Sequence, residues 1–316
     1  MVSTAEAKQR NAIEVSPLPG TLGAEILGCD VRALDDASFP LIRQALEDHL
    51  ILLFRGQQLS KAEQTVFNER FGVPAKAPLA TRGVKERDNQ YPCISLISNI
   101  KEDGVSIGSL GDGEAFWHTD TSYVEKPPSY STFLALEVPP HGGDTQFTNM
   151  YAALDTLPRD IFERIRDSNL KHDSTYNAGG ELHVGAKHTK DVVNCPGTVH
   201  PIVRTHPVTG YNTLYLGRRS NAYIDGLPVA ESEELLNFLW QHAVRKEFTW
   251  TQKWRTGDLL VWDNQCLMHR RDAFDGQHRR LMHKAYCEGA RPFRSPDAFA
   301  RPPHPRAAKL VQQMLR

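Results

Sequence analysis

His118-Thr119-Asp120 is followed 149 positions later by His269 and 11 further on by Arg280. Two imidazoles and one carboxylate can occupy one face of an iron(II) ion and leave three positions open for chemistry. A downstream arginine can hold the far carboxylate of an oxo-acid cosubstrate. The pattern therefore points to oxygen chemistry at a metal. On a strand, residues i and i+2 share a face, so His118 and Asp120 are expected to project together while Thr119 faces away. His269 follows DLLVWDNQCLM and is expected at a strand end. Trp117, Tyr123 and Trp262-Asp263-Asn264 supply bulk around the ligands that keeps water from a reactive centre.

Elements must bring these residues together. A β-hairpin is expected over 15–31, a helix over 39–49, a short buried strand over 50–54, and a helix capped by Ser60 and ended by Gly72. Residues 74–113 are rich in Gly and Pro and read as irregular. Beyond them, 116–123, 132–138, 145–149, 201–205, 213–216, 248–254, 258–262 and 281–288 are strand-like, rich in aromatic and β-branched residues. Helices are expected over 160–168 and 232–244. Eight or so short strands with flanking helices suggest a mainly β chain folded as one domain, a double-sheet jelly roll with the opening helices outside. The stretch 177–199 has no clean period and reads as a lid or a surface excursion.

Bulk composition narrows the function classes. The 316 residues carry 40% hydrophobic and 24% charged side chains, enough apolar material for a core. The net charge of −1 gives no electrostatic case for nucleic acid or an anionic membrane surface. No apolar run is long enough to span a membrane, and the N-terminal segment lacks the apolar stretch of a signal peptide. Five cysteines without a C-x-x-C motif fit reduced thiols in a cytoplasmic protein. The apolar helix faces leave room for a homo-oligomer.

Longer motifs carry a resemblance. WHTDTSY, PPHGGDT (139–145), LLVWDNQCLMHRRDAF (259–274) and RRLMHK (279–284) resemble the taurine dioxygenase/TfdA family of iron(II)- and 2-oxoglutarate-dependent oxygenases. PLPGTLGAEILGCDV near the start and HPIVRTHPVTG (200–210) extend it over nearly the whole chain. The resemblance implies a double-stranded β-helix, cupin-like core. It implies Fe(II) held by His118, Asp120 and His269, with Thr145 and Arg280 binding the distal carboxylate of 2-oxoglutarate. A guanidinium suits that task because it meets both carboxylate oxygens at once. Arg279, its neighbour, is expected to face solvent. The implied reaction consumes O2, converts 2-oxoglutarate to succinate and CO2, and hydroxylates a small organic substrate. Hydroxylation beside a heteroatom commonly gives a product that fragments, with C–S or C–O cleavage.

Departures from the family's pattern concern the substrate. Taurine-cleaving members carry a sulfonate-gripping arginine four residues after the 2-oxoglutarate arginine, and this chain has Lys284 there. Residues 280, 282 and 284 share one strand face, so Lys284 can point into the pocket. Glu114 stands where those members carry a neutral amide, and the stretch 71–78 offers no match for their substrate histidine. These differences argue against taurine and for another small anionic or amine-bearing molecule. Lys284, Glu114 and Tyr123 are the leading substrate contacts, with Lys76, Asn177, His183 and Arg218 as further candidates. Alternatives are a hydroxylase or desaturase of an amino-acid derivative or natural product, a metal-dependent hydrolase, and a non-catalytic cupin-like metal-binding protein.

Overall fold

The computed structural model describes residues 13–76, 80–85 and 88–314. The segment read for an apolar leader lies largely outside these residues, as do the last two positions of 71–78. β1 (Glu14–Pro17) and β2 (Ala24–Leu27) form the opening hairpin. α1 (Phe39–His49) has a proline in its first turn and ends where Leu50 turns left-handed, its N–H returning to the Leu46 carbonyl. β3 (Ile51–Phe54) follows at once. α2 (Lys61–Glu69) begins at a capping box, in which the Ser60 hydroxyl accepts the Glu63 N–H and the Glu63 carboxylate accepts the Ser60 N–H.

The stretch 74–113 is less irregular than expected. It contains β4 (Pro74–Ala75), β5 (Ile94–Ser98), β6 (Lys101–Glu102), β7 (Val105–Ser106) and β8 (Ser109–Leu110). β5 lies inside the main sheet, but its burial follows no clean two-residue alternation, so periodicity alone does not reveal it. β9 (Ala115–His118), β10 (Tyr130–Glu137) and β11 (Thr145–Asn149) come next. α3 (Met150–Asp155), capped by the Asn149 side chain, α4 (Arg159–Ile165) and β12 (Asn169–Asp173) follow. β13 (Gly197–Pro201) takes the last residues of the predicted loop, ahead of β14 (Val203–Thr205), β15 (Asn212–Leu214) and β16 (Tyr223–Ile224). α5 (Val229–Ala243), β17 (Thr249–Gln252), β18 (Leu259–Asp263), β19 (Leu267–Arg271), β20 (Leu281–Cys287) and α6 (Pro305–Met314) complete the series.

A nine-stranded sheet runs β1-β2-β3-β18-β10-β20-β5-β8, with β4 added against β20. A four-stranded sheet runs β17-β11-β19-β9. Period-two alternation explains why the central strands are apolar throughout. Leu52 and Phe54 of β3, with Leu259 and Val261 of β18, face the outer core under α1 and α2. Ile51, Leu53, Leu260 and Trp262 face the other way and meet Phe147 and Leu267 of the smaller sheet. Each fully buried leucine or phenylalanine contributes about 2 kcal/mol by leaving water. Two sheets sharing one core, with helices outside, make the expected jelly roll. The apolar face of α5 (Leu235, Leu236, Leu239, Ala243) is buried in a third core with α3, so that face offers no interface between copies.

Candidate metal centre and adjoining cavity

The smaller sheet brings the two histidines together. β9 and β19 pair antiparallel with His118 opposite His269. His269 therefore sits in the middle of a strand, not at a strand end as expected. The chain turns at Asn264-Gln265-Cys266 after β18 and enters β19 before reaching it. The strand reading for Asp120 is also corrected. β9 ends at His118, and Asp120 lies in the turn beyond, where Thr121 is left-handed at φ 43°.

Other residues hold Asp120 in place of a strand ladder. Its backbone N–H donates to Asn264 Oδ1 at 3.0 Å, and Asn264 Nδ2 donates to the carbonyls of Asp120 and Pro128. Ser131 Oγ donates to Asp120 Oδ2 at 3.2 Å. Asn264 and Ser131 were missed as positioning residues; the WDN run close before His269 was the available signal.

One donor atom from each of His118, Asp120 and His269 lies within 4.8 Å of the others. Asp120 Oδ1 is 3.5 Å from His118 Nε2 and 3.6 Å from His269 Nε2. His118 Nδ1 lies 2.7 Å from the Phe116 carbonyl, which can only accept, so Nδ1 carries the proton and Nε2 presents its lone pair. Burial, then the neighbouring His118, pushes the His269 imidazole well below its usual range and keeps it neutral. Burial alone pushes the Asp120 carboxyl up, but the Lys284 ammonium, with His269 and His118, outweighs it and holds the group well below the usual carboxylate range. Phe147 stacks on His269 at 5.6 Å and Trp262 meets it edge-on at 5.2 Å. Two imidazoles and an ionised carboxylate, held at these separations, fit a divalent metal.

Arg280 is 1% exposed, and its Nε and Nη1 have no hydrogen-bond partner among the described residues. Its guanidinium lies 5.8 Å over the Phe133 ring. Burial pushes its pKa down to about 9, with nearby Arg271 adding to the effect. Gly143 packs against it, since a Cβ at that left-handed position would lie 3.4 Å from Arg280 Nε. Thr145, two residues on, accepts the Trp254 indole N–H at 2.9 Å and pairs across the strands with Arg271. A buried guanidinium fork with unused donors has the geometry to take a carboxylate. Arg279 is exposed and paired with Glu137 at 2.7 Å.

A cavity of about 460 Å³ adjoins the triad. His118, Asp120 and Lys284 line it at the proposed ligands, and Ile94, Leu96 and Ile97 of β5 give it an apolar wall. The β5 wall lay in the stretch read as irregular. Tyr123, Asn177, His183 and Arg218 all line the cavity, and Tyr123 packs on His183 at 5.3 Å. Lys76 is exposed and does not line it. Glu114 also lies off the lining and pairs with Arg270 at 3.2 Å, so the geometry does not bring it to a substrate. Lys284 is buried with its Nζ 2.7 Å from Asp120 Oδ1.

The family model for taurine catabolism dioxygenase TauD, TfdA family, matches residues 14–286. The α-ketoglutarate-dependent 2,4-dichlorophenoxyacetate dioxygenase of Cupriavidus pinatubonensis is 32% identical over 87% of this chain and 97% of its own length. Pentalenolactone F synthase of Streptomyces arenae is 33% identical over 85% of this chain and 93% of its own length. Among solved structures, a taurine dioxygenase from Burkholderia xenovorans superposes with a TM-score of 0.72 at 29% identity, covering 91% of this chain and 94% of that one.

Proposed function

The chain belongs to the TauD/TfdA family of iron(II)- and 2-oxoglutarate-dependent dioxygenases, and on that premise we propose that His118, Asp120 and His269 hold the iron while Thr145 and Arg280 seat the distal carboxylate of 2-oxoglutarate. The enzyme uses Fe(II), 2-oxoglutarate and O2 and acts on a small organic molecule. The observation carrying the residue assignment is the buried Arg280 guanidinium, whose Nε and Nη1 have no hydrogen-bond partner among the described residues, in the same protein as a buried His-Asp-His cluster. A bare metal-binding protein or a zinc hydrolase has no use for such a clamp.

Bound iron supplies the oxidising chemistry, coupled to decarboxylation of 2-oxoglutarate to succinate and CO2. The protein supplies position and exclusion. Phe116 fixes the His118 tautomer, Asn264 and Ser131 aim Asp120, and Phe147 and Trp262 keep water from the ligands. Arg280 and Thr145 would hold the distal carboxylate and so set the register of the cosubstrate.

The substrate is a small anion with an apolar body. Lys284 is the cavity-lining cation beside Asp120, and Ile94, Leu96, Ile97 and Tyr123 suit an aryl or alkyl group larger than taurine's. Hydroxylation beside an ether or ester oxygen leads to C–O cleavage. Hydroxylation or desaturation of a natural product is the second reading, favoured by the likeness to pentalenolactone F synthase. Residues 177–199 are read as a lid. Arg218 donates to the carbonyls of Asp173 and Tyr176 just before the loop, while Val184 N–H donates to the Ala80 carbonyl and His183 pairs with Thr81, tying the loop to residues 80 and 81 at the cavity wall. The whole unit from hairpin to C-terminal helix is read as one catalytic domain. A cytoplasmic location is supported by the five free cysteines; no helix among the described residues is long and apolar enough to cross a membrane.

A panel of aryloxyalkanoates, sulfate esters, sulfonates and amino acids, scored by succinate formation with iron(II) and ascorbate, tests this reading. An apolar-bodied anion is expected to give the fastest turnover. Turnover confined to taurine or to uncharged compounds contradicts it.

A further inference from the structure

One oxygen of Asp120 serves two kinds of cation. Oδ1 is the atom that faces both imidazole Nε2 atoms, at 3.5 and 3.6 Å, and it also accepts from Lys284 Nζ at 2.7 Å. Oδ2 is taken by Ser131. The Lys284 side chain is only 7% exposed, and Asp120 is its one hydrogen-bond acceptor among the described residues. Rings of Trp262, Tyr286 and Phe133 surround Nζ at 5.0, 5.4 and 5.7 Å. Their π-faces stabilise an ammonium but do not neutralise Asp120; the ammonium does that.

Oδ1 is therefore the carboxylate oxygen that a divalent ion held by the two imidazoles would share. An ammonium at hydrogen-bond distance from that oxygen is then a few ångströms from a doubly charged ion, with little water between them to screen the repulsion. Resting on the iron-site reading above, we propose that Lys284 is the resident counter-cation of Asp120, that the metal displaces it, and that the displaced ammonium becomes the anion-binding group of the cavity. Room for the movement exists, because Lys284 lines the cavity next to Asp120. A lysine suits the exchange: its charge sits at the end of a flexible four-carbon stem with three rotatable donors, whereas an arginine fork holds a fixed planar geometry. Metal loading would thereby ready the substrate end of the site. Lys284 would lower metal affinity while the metal-free protein keeps a neutralised Asp120.

Calorimetric titration of the full chain with Mn(II) alone tests this. Lys284→Met and Lys284→Gln are expected to bind Mn(II) about tenfold or more tightly than wild type, since each removes a competing cation. Lys284→Arg is expected to show no gain. Equal or weaker binding by the Met and Gln variants overturns the proposal, whereas a wild-type chain that takes up no metal overturns the metal-site reading itself. Should the substitutions prevent folding, wild-type crystals grown without metal and with zinc decide. Nζ is expected on Asp120 without metal and turned into the cavity with it; Nζ on Asp120 in both overturns the proposal.

Discussion

His118 and His269 face each other directly across the β9–β19 pairing, with ring centroids 4.1 Å apart. Adjacent strands thus supply two of the three proposed ligands on one face, where they would hold the metal together. His118→Ala is expected to abolish iron binding and to lower succinate formation at least about 10³-fold, with little change in the fold, because the ring sits at a strand end beside the cavity. Metal content and coupled activity measure both. Retention of iron and full turnover contradicts the ligand assignment.

Arg280 gives a prediction with two signs. Arg280→Met is expected to raise the 2-oxoglutarate dissociation constant about 100-fold, the loss of a two-point contact between charged groups. The cosubstrate-free variant should melt no lower than wild type, because a buried guanidinium with unused donors costs stability that a methionine does not. A large drop in melting temperature with unchanged cosubstrate affinity assigns Arg280 to structure alone.

Glu114 was a substrate candidate on its spacing to His118, yet it pairs with Arg270 and lies off the cavity. Glu114→Gln is therefore expected to leave kcat and KM within about twofold of wild type, as for other partly exposed ion pairs. A marked rise in KM for an amine-bearing substrate returns it to the pocket.

Burial pushes the imidazoles of His200, His283 and His304 down to about 4. Their unfolded value is about 6.5, so between the two values the unfolded chain binds more protons and stability rises with pH. Each contributes on the order of 1–3 kcal/mol, fully present above pH 6.5 and lost as pH falls toward 4. Asp155 works the other way. Burial pushes its carboxyl up to about 7, although the His304 N–H it accepts opposes this, so its contribution declines as pH rises from about 4 to 7. Urea unfolding is expected to show net stability rising from pH 4 to 6.5, more steeply in Asp155→Asn. A flat profile contradicts the burial of these rings as neutral groups.

The sequence exposed the site's chemistry more clearly than its local geometry. The opening hairpin, α1 and β11 were legible because helical or two-residue periodicity ran to a clear stop, as at Leu50 and Asn149. β5 was not, because a short strand between β20 and β8 is buried without alternation. Asp120 was expected on the ligand face of a continuing strand. A turn held by Asn264, 144 residues away in sequence, places it there, and no local pattern encodes that contact. Lys284 was placed on the inward face by alternation alone. Its partner Asp120 became visible only once β20 and the turn after β9 were brought together.

Anaerobic absorption spectroscopy tests the central claim most directly. Iron(II) and 2-oxoglutarate added to the wild-type chain are expected to give a visible metal-to-ligand charge-transfer band that saturates with cosubstrate. Asp120→Ala should fail to develop it, and Arg280→Met should need far more cosubstrate to reach it. Absence of the band in wild-type protein that has bound iron contradicts a 2-oxoglutarate site built on His118, Asp120, His269 and Arg280.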